Sequence, residues 1–169
     1  MSDNTILILA MRWTHILTAI TAIGGTIFIR FVLIPVAESV LDDETHARLR
    51  AGLVKRWQKF VHTCIMMFLI SGFYNYFVVT GPAHSGQPLY HALFGIKFLL
   101  ALAVFGLAVV LTSTKDWSKG IRANAKTWLG LLVALGVVVV MVSGVMKNIP
   151  KSGVTPSSAQ VTLNGNPGR

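Results

Sequence analysis

Four long runs of apolar residues, joined by short polar connectors, set the strongest limit on what this sequence can fold into. A helix needs about 20 mainly apolar residues to cross the hydrocarbon core of a bilayer. The sequence provides that length four times, at residues of about 6–36, 57–80, 89–112 and 127–147. It therefore predicts an all-α protein, an integral membrane four-helix transmembrane bundle over residues 1–150.

The composition agrees with lipid as the main solvent. Hydrophobic residues make up 53% of the chain and charged residues 12%, whereas about 25% of the residues of a soluble domain are charged. The formal net charge of +9 would also suit a nucleic-acid-binding protein. The basic residues, however, lie mostly in the connectors, where membrane proteins concentrate them. We therefore expect the lipid bilayer as a partner and no nucleic acid.

The distribution of Lys and Arg predicts the orientation of the bundle. The first and third connectors with their flanks hold most of the basic residues: Arg48, Arg50, Lys55, Arg56, Lys59, Lys115, Lys119, Arg122 and Lys126. Loops rich in Lys and Arg stay on the cytoplasmic side. We therefore expect a multi-pass protein of the cell inner (cytoplasmic) membrane with both termini outside.

The connectors differ in character. Residues 38–56 mix both charges and carry spaced leucines, which predicts an amphipathic helix on the membrane surface. His46 in this connector and His84 in the next one are expected to be solvated. Residues 151–169 are rich in Ser, Thr, Gly and Asn, and are predicted to form a disordered polar tail.

Few polar or ionisable side chains lie within the apolar runs, and they are the candidate functional residues. They are Arg12, His15, Arg30, His62, Asn75, His91 and Lys97. Such groups are costly in a membrane and point to function. The runs contain no Asp or Glu, which argues against a carboxylate proton relay or a paired-carboxylate catalyst. Arg30 and Lys97 would instead meet haem propionates, another carboxylate ligand or lipid phosphate.

The three histidines in the runs are candidate ligands for haem iron or copper. His15 and His91 both lie in the outer half of the bundle, at depths that differ by roughly 5 Å at 1.5 Å per residue. They are therefore the best-placed axial pair. His62 lies about 18 Å in depth from His15, so it needs another partner, such as Met66 or Met67, or it serves alone. The alternative for each histidine is a hydrogen bond between helices.

Two further patterns have both a structural and a functional interpretation. The aromatic cluster at residues 73–77 fits an interfacial belt or helix packing, and also a wall against a planar macrocycle. Eight glycines are predicted to let helices approach closely: Gly24, Gly25, Gly72, Gly95, Gly106, Gly130, Gly136 and Gly144.

The order of these residues resembles two related membrane families. The first run reads Trp13-Thr14-His15-Ile16-Leu17, then Gly24-Gly25, then Phe28-Ile29-Arg30-Phe31, and the third contains Gly95-Ile96-Lys97-Phe98. This resembles the HemJ-type protoporphyrinogen oxidases and the CopD-type (copper resistance D) proteins. The resemblance implies a b-type haem with His15 as an axial ligand, and Arg30 or Lys97 near propionates or a tetrapyrrole substrate. It also implies an oxidation that passes electrons to an acceptor such as a quinone.

Two other functions are compatible with the residues. Copper binding or transport would use His15 and His62 with the soft ligands Cys64, Met66, Met67 and Met141. A non-catalytic membrane subunit would need no cofactor. A membrane oxidoreductase is thus one of three functional hypotheses. Assembly of the bundle as a homo-oligomer is also compatible with the sequence.

Overall fold

A computed structural model describes residues 3–150, and the regular secondary structure in this part of the chain is entirely helical. Four helices are long and apolar enough to cross a membrane: α1 (Asn4–Val40), α2 (Asp43–Ala83), α3 (Pro88–Thr112) and α4 (Ala125–Lys147). The predicted all-α four-helix transmembrane bundle is confirmed. The predicted tail, residues 151–169, lies outside the described residues.

The four helices pack in chain order around a closed ring. Helix α1 contacts α2, α2 contacts α3, α3 contacts α4, and α4 returns to α1. Short connectors make neighbours antiparallel. The first and third connectors therefore share one end of the bundle, which we call the basic end, and the second connector lies at the opposite end.

The distribution of side chains suits a bundle surrounded by lipid. Large apolar residues such as Leu17, Phe77 and Leu99 point away from the bundle and are 61–67% exposed. Several buried polar side chains are hydroxyls: Thr18, Thr26, Ser71, Thr112, Ser113 and Ser118. Many of them bond a backbone carbonyl within the same helix, which satisfies them without water. These features describe a multi-pass membrane protein.

Prolines explain two irregular turns. Helix α1 passes through a π-helical turn at Ile29–Leu33, just before Pro35, and α2 does so at Asn75–Thr80, just before Pro82. A proline lacks the N–H of an α-helix and its ring crowds the carbonyl four residues earlier. A wider turn relieves that conflict, so both helices continue beyond the points at which the apolar pattern ends.

The first connector corrects a prediction. Residues 38–56 do not form a separate surface helix, because Asp43–Tyr74 is one continuous α-helix. The Asp42 carboxylate caps this helix by accepting the Thr45 N–H at 2.8 Å, and that hydrogen bond lowers the pKa of Asp42. No proline interrupts the segment. The polar segment that carries the basic residues of the connector therefore extends α2 beyond its apolar part by about 21 Å, at 1.5 Å per residue.

The second connector fastens the end of α4, and here the expectation that His84 is solvated is wrong. His84 is only 5% exposed, and its ring stacks on Tyr90 with the centroids 3.8 Å apart. Its Nδ1 lies 2.8 Å from the Thr80 carbonyl oxygen, and its Nε2 lies 3.4 Å from that of Ile149. The Gln87 amide also donates to the Pro150 carbonyl. The connector thus ties α2 and α3 to the residues that follow α4.

Replacing His84 with alanine is expected to destabilise the bundle by about 2 kcal/mol, because a stacked ring and a hydrogen bond to a backbone carbonyl are lost. Thermal unfolding of the purified protein in detergent measures the change. The matched control is His62→Ala, since His62 is exposed and, among the described residues, bonds only the Gln58 carbonyl of its own helix. Equal melting temperatures for the two variants would contradict the fastening role of His84.

Candidate functional site

A cavity of about 1080 Å³ lies between the four helices, and we call it the central cavity. This volume slightly exceeds the ~300–1,000 Å³ that is usual for small-molecule sites. Its aromatic lining comprises Trp57, Phe60, Phe68, Phe73, Tyr76, Tyr90, Phe94, Phe98 and Phe105. Tyr76 and Phe94 stack with ring centroids 3.5 Å apart. The wall therefore offers flat aromatic surface to a large apolar ligand.

His15 lines this cavity in one defined tautomer. Its Nδ1 lies 2.9 Å from the Ser71 hydroxyl oxygen, and that hydroxyl lies 2.5 Å from the Met67 carbonyl oxygen. A carbonyl only accepts, so the single Ser71 proton goes to Met67 and the Ser71 oxygen accepts from His15 Nδ1–H. Nε2 is then the nitrogen with a free lone pair. Within residues 3–150 no hydrogen-bond partner occupies Nε2.

The position of the His15 ring is fixed from two further sides. Phe68 meets it edge-on, with the centroids 5.2 Å apart. Gly72 lies so close that a Cβ added there would stand 3.4 Å from His15 Cε1. Ser71 is completely buried. A histidine whose second nitrogen is bonded in this manner is oriented as metal-ligating histidines are.

The charged groups of the central cavity are all cationic. Arg12, Lys97 and Lys147 line it, and no Asp or Glu is found among its lining residues in the described chain. Lys97 is close enough to His15 for a Coulombic interaction. Unpaired cations in an apolar wall favour a ligand that carries negative charge of its own. The cavity therefore suits an apolar, aromatic molecule with anionic substituents.

The other predicted site residues lie outside the wall of the central cavity. His91 Nδ1 lies 2.8 Å from the Tyr76 hydroxyl, and Tyr76 supplies the wall at that position. His62 is exposed on α2. Arg30 donates to the Lys126 carbonyl at 2.7 Å and lies about 22 Å along α1 from His15, at 1.5 Å per residue. Of the five residues, the cavity brings together His15 and Lys97.

The soft ligands considered for copper are dispersed in the structure. Cys64 is buried and lines the central cavity with His15. Met66, Met67 and Met141 are 45–66% exposed, and the sulfur of Met67 lies 3.8 Å from the Thr18 hydroxyl oxygen. Within residues 3–150, no group of three or more His, Cys, Asp or Glu side chains is arranged to hold a metal ion.

Sequence reasoning missed two residues of this site. Ser71 sets the tautomer of His15, and its signal was a hydroxyl next to Gly72 inside an apolar run. Lys147 ends the fourth apolar run in the sequence, and in the structure it lines the cavity. The aromatic cluster at 73–77 divides, because Phe73 and Tyr76 line the cavity while Phe77 is 66% exposed.

The glycines divide in a similar manner. An added Cβ would meet Trp57 at Gly25, His15 at Gly72 and Ile23 at Gly136, so these three lie at close contacts between helices. At the other five predicted positions an added Cβ would meet nothing within 4 Å among the described residues. Of these three, Gly72 and Gly136 line the central cavity, and Gly25 contacts Trp57, which also lines it. No protein-family model matches this chain, and no curated protein or solved structure does so either.

Proposed function

We propose that this protein binds haem b in its central cavity and acts in electron transfer or oxidation, as its resemblance to the HemJ-type protoporphyrinogen oxidases implies. The observation that carries the proposal is His15, whose Nδ1 is held by Ser71 while Nε2 is left for a metal. Imidazole is a common axial ligand of haem iron. The residues present fit this cofactor in ligand chemistry, in aromatic surface and in charge.

Each part of the site would have a separate task. His15 would ligate the iron, and Ser71 would keep the ring in the required tautomer and orientation. Lys97 would pair with a propionate, with Arg12 or Lys147 available to the second one. The aromatic wall would contact the macrocycle and exclude water. When bound, the haem supplies the redox chemistry, and the protein positions it and tunes its potential.

The substrate and the electron acceptor that we propose rest on the resemblance to the HemJ-type proteins. The substrate would be a reduced tetrapyrrole, and a quinone in the bilayer would accept the electrons. By the positive-inside rule, the basic end would face the cytoplasm of a cell with this protein in its inner membrane, with the termini outside. The central cavity, which begins near Arg12 and Lys147 at the opposite end, would then open towards the outer half of the membrane.

Optical spectroscopy of the purified protein tests the proposal. With haem supplied during expression, we expect a Soret band that shifts when the sample is reduced. Metal analysis of the same sample separates the alternatives. Stoichiometric copper without haem would support the CopD-like function instead. A co-purifying partner protein with neither cofactor would support the non-catalytic subunit.

A further inference from the structure

A second cavity, of about 830 Å³, lies at the basic end of the bundle, and we call it the basic-end cavity. Residues of α1, α2 and α4 form it, together with residues at the end of α3 and in the connector that follows. Trp57 and Val61 line it and also line the central cavity, so they lie between the two. His15 and Lys97 are absent from its lining. The proposed haem site therefore does not account for it.

The polar part of the basic-end cavity carries excess positive charge. Arg50, Arg122 and Lys126 line it, against the single carboxylate of Glu38, which pairs with Lys126. Both arginines donate to backbone carbonyls: Arg50 donates to the Arg122 carbonyl, and Arg122 donates to that of Lys115. Among the described residues, neither guanidinium has a carboxylate within ion-pair distance.

One atom in this group lacks any partner. Arg122 Nε is buried and makes no hydrogen bond within residues 3–150. A buried guanidinium N–H without an acceptor is costly, so an additional acceptor at this point would stabilise the structure. Guanidinium groups bind phosphate oxygens through parallel N–H donors.

The deeper part of the basic-end cavity is apolar. It is lined by Ile29, Leu33, Leu53, Val54, Val61, Leu111 and Leu132. A small inorganic anion would leave this wall without a partner. A molecule that joins a negatively charged phosphate to a hydrocarbon chain would match both parts of the cavity. Basic pockets between transmembrane helices are known sites for anionic lipid headgroups.

We propose that the basic-end cavity binds an anionic phospholipid. The phosphate contacts Arg50 and Arg122, including the unpartnered Nε, and an acyl chain lies along the apolar wall towards Trp57. The proposal does not depend on haem binding, since Arg50 and Arg122, which hold the phosphate, do not line the central cavity.

Lipid binding to the purified, delipidated protein tests the proposal by native mass spectrometry. The ligands are phosphatidylglycerol, which is anionic, and phosphatidylcholine, which has the same acyl chains and no net charge. We expect phosphatidylglycerol to bind the unchanged protein at least about tenfold more tightly. The double variant Arg50→Gln/Arg122→Gln is expected to lose this preference. Equal binding of the two lipids by the unchanged protein would overturn the proposal.

A control with the same loss of charge makes the test specific. Arg48 and Lys119 are exposed, pair with carboxylates on the surface and do not line the cavity. The double variant Arg48→Gln/Lys119→Gln should therefore keep the preference for phosphatidylglycerol. Equal losses in both double variants would show a general charge effect and contradict a defined site.

Two further measurements distinguish the source of the phosphate and guard against misfolding. Inorganic phosphate at millimolar concentration should fail to displace phosphatidylglycerol, and complete displacement would assign the cavity to a free anion instead. If the glutamine variant does not fold, Arg50→Lys/Arg122→Lys replaces it. The lysine variant keeps the charge and loses the planar donors, so we expect an intermediate lipid affinity. Unchanged affinity would contradict the role of the guanidinium groups.

Discussion

Replacing His15 with alanine is expected to remove the haem spectrum of the purified protein, with a loss of haem affinity of at least about 100-fold. Removing a group that only orients a metal ligand costs 10–100-fold in metal affinity, and removing the ligand itself should cost at least as much. Ser71→Ala is expected to give the intermediate effect, because His15 remains while the acceptor for its Nδ1–H is lost. Titration of the delipidated protein with haem, followed at the Soret band, measures both variants.

The other two histidines of the spans provide the controls. His62→Ala should leave the spectrum unchanged, since this residue is exposed and outside the lining of the central cavity. His91→Ala should also keep the Soret band, because the His91 ring is bonded to Tyr76 and does not line the cavity. Loss of haem from His91→Ala to the same degree as from His15→Ala would instead support the axial pair predicted from depth. A full spectrum in His15→Ala would contradict the proposed ligand.

The comparison of His15 with His91 shows what a sequence of this kind can and cannot predict. Position along a helix follows from residue number, because each residue advances the chain by 1.5 Å. The direction in which a side chain points follows from periodicity. In a bundle surrounded by lipid, both the inner and the outer faces of a helix are apolar, so that signal is weak. Depth was therefore predictable for both histidines, and membership of the cavity wall was not.

The connectors differ from their predicted form for a related reason. The apolar pattern predicts that the second spanning helix begins at about residue 57, with a separate surface helix before it, whereas the polar segment from Asp43 belongs to the same helix. The polarity of a segment indicates which solvent surrounds it, and does not indicate where its helix begins or ends. Where α2 leaves the bilayer, water replaces lipid around it and its residues become polar. The polarity of the second connector likewise predicts that His84 is solvated. His84 is buried because Tyr90 and Ile149 contact it. These contacts arise from the packing of α3 and α4, which the polarity of the connector does not indicate.

Gly25 is the position at which a single methyl group should have the clearest effect on the fold. A Cβ added there would overlap the Trp57 ring, and two further ring carbons would stand 3.2 and 3.3 Å from it. Trp57 also stacks on Phe60, with the centroids 4.7 Å apart, so the ring cannot move without disturbing its neighbour. Overpacking of this kind costs about 1–3 kcal/mol. We therefore expect Gly25→Ala to lower the thermal stability of the protein in detergent.

Gly24 is a matched control in the same helix, because a Cβ added there would meet nothing within 4 Å among the described residues. Gly24→Ala should be neutral or stabilising by up to about 1 kcal/mol, from helix propensity alone. Trp57→Leu removes the obstructing ring, so Gly25→Ala should cost much less in that background than in the unchanged protein. Such coupling is expected only for residues in contact. If the cost of Gly25→Ala were the same in both backgrounds, it would arise from lipid or from α1 itself, and the contact between α1 and α2 at Trp57 would not be its cause.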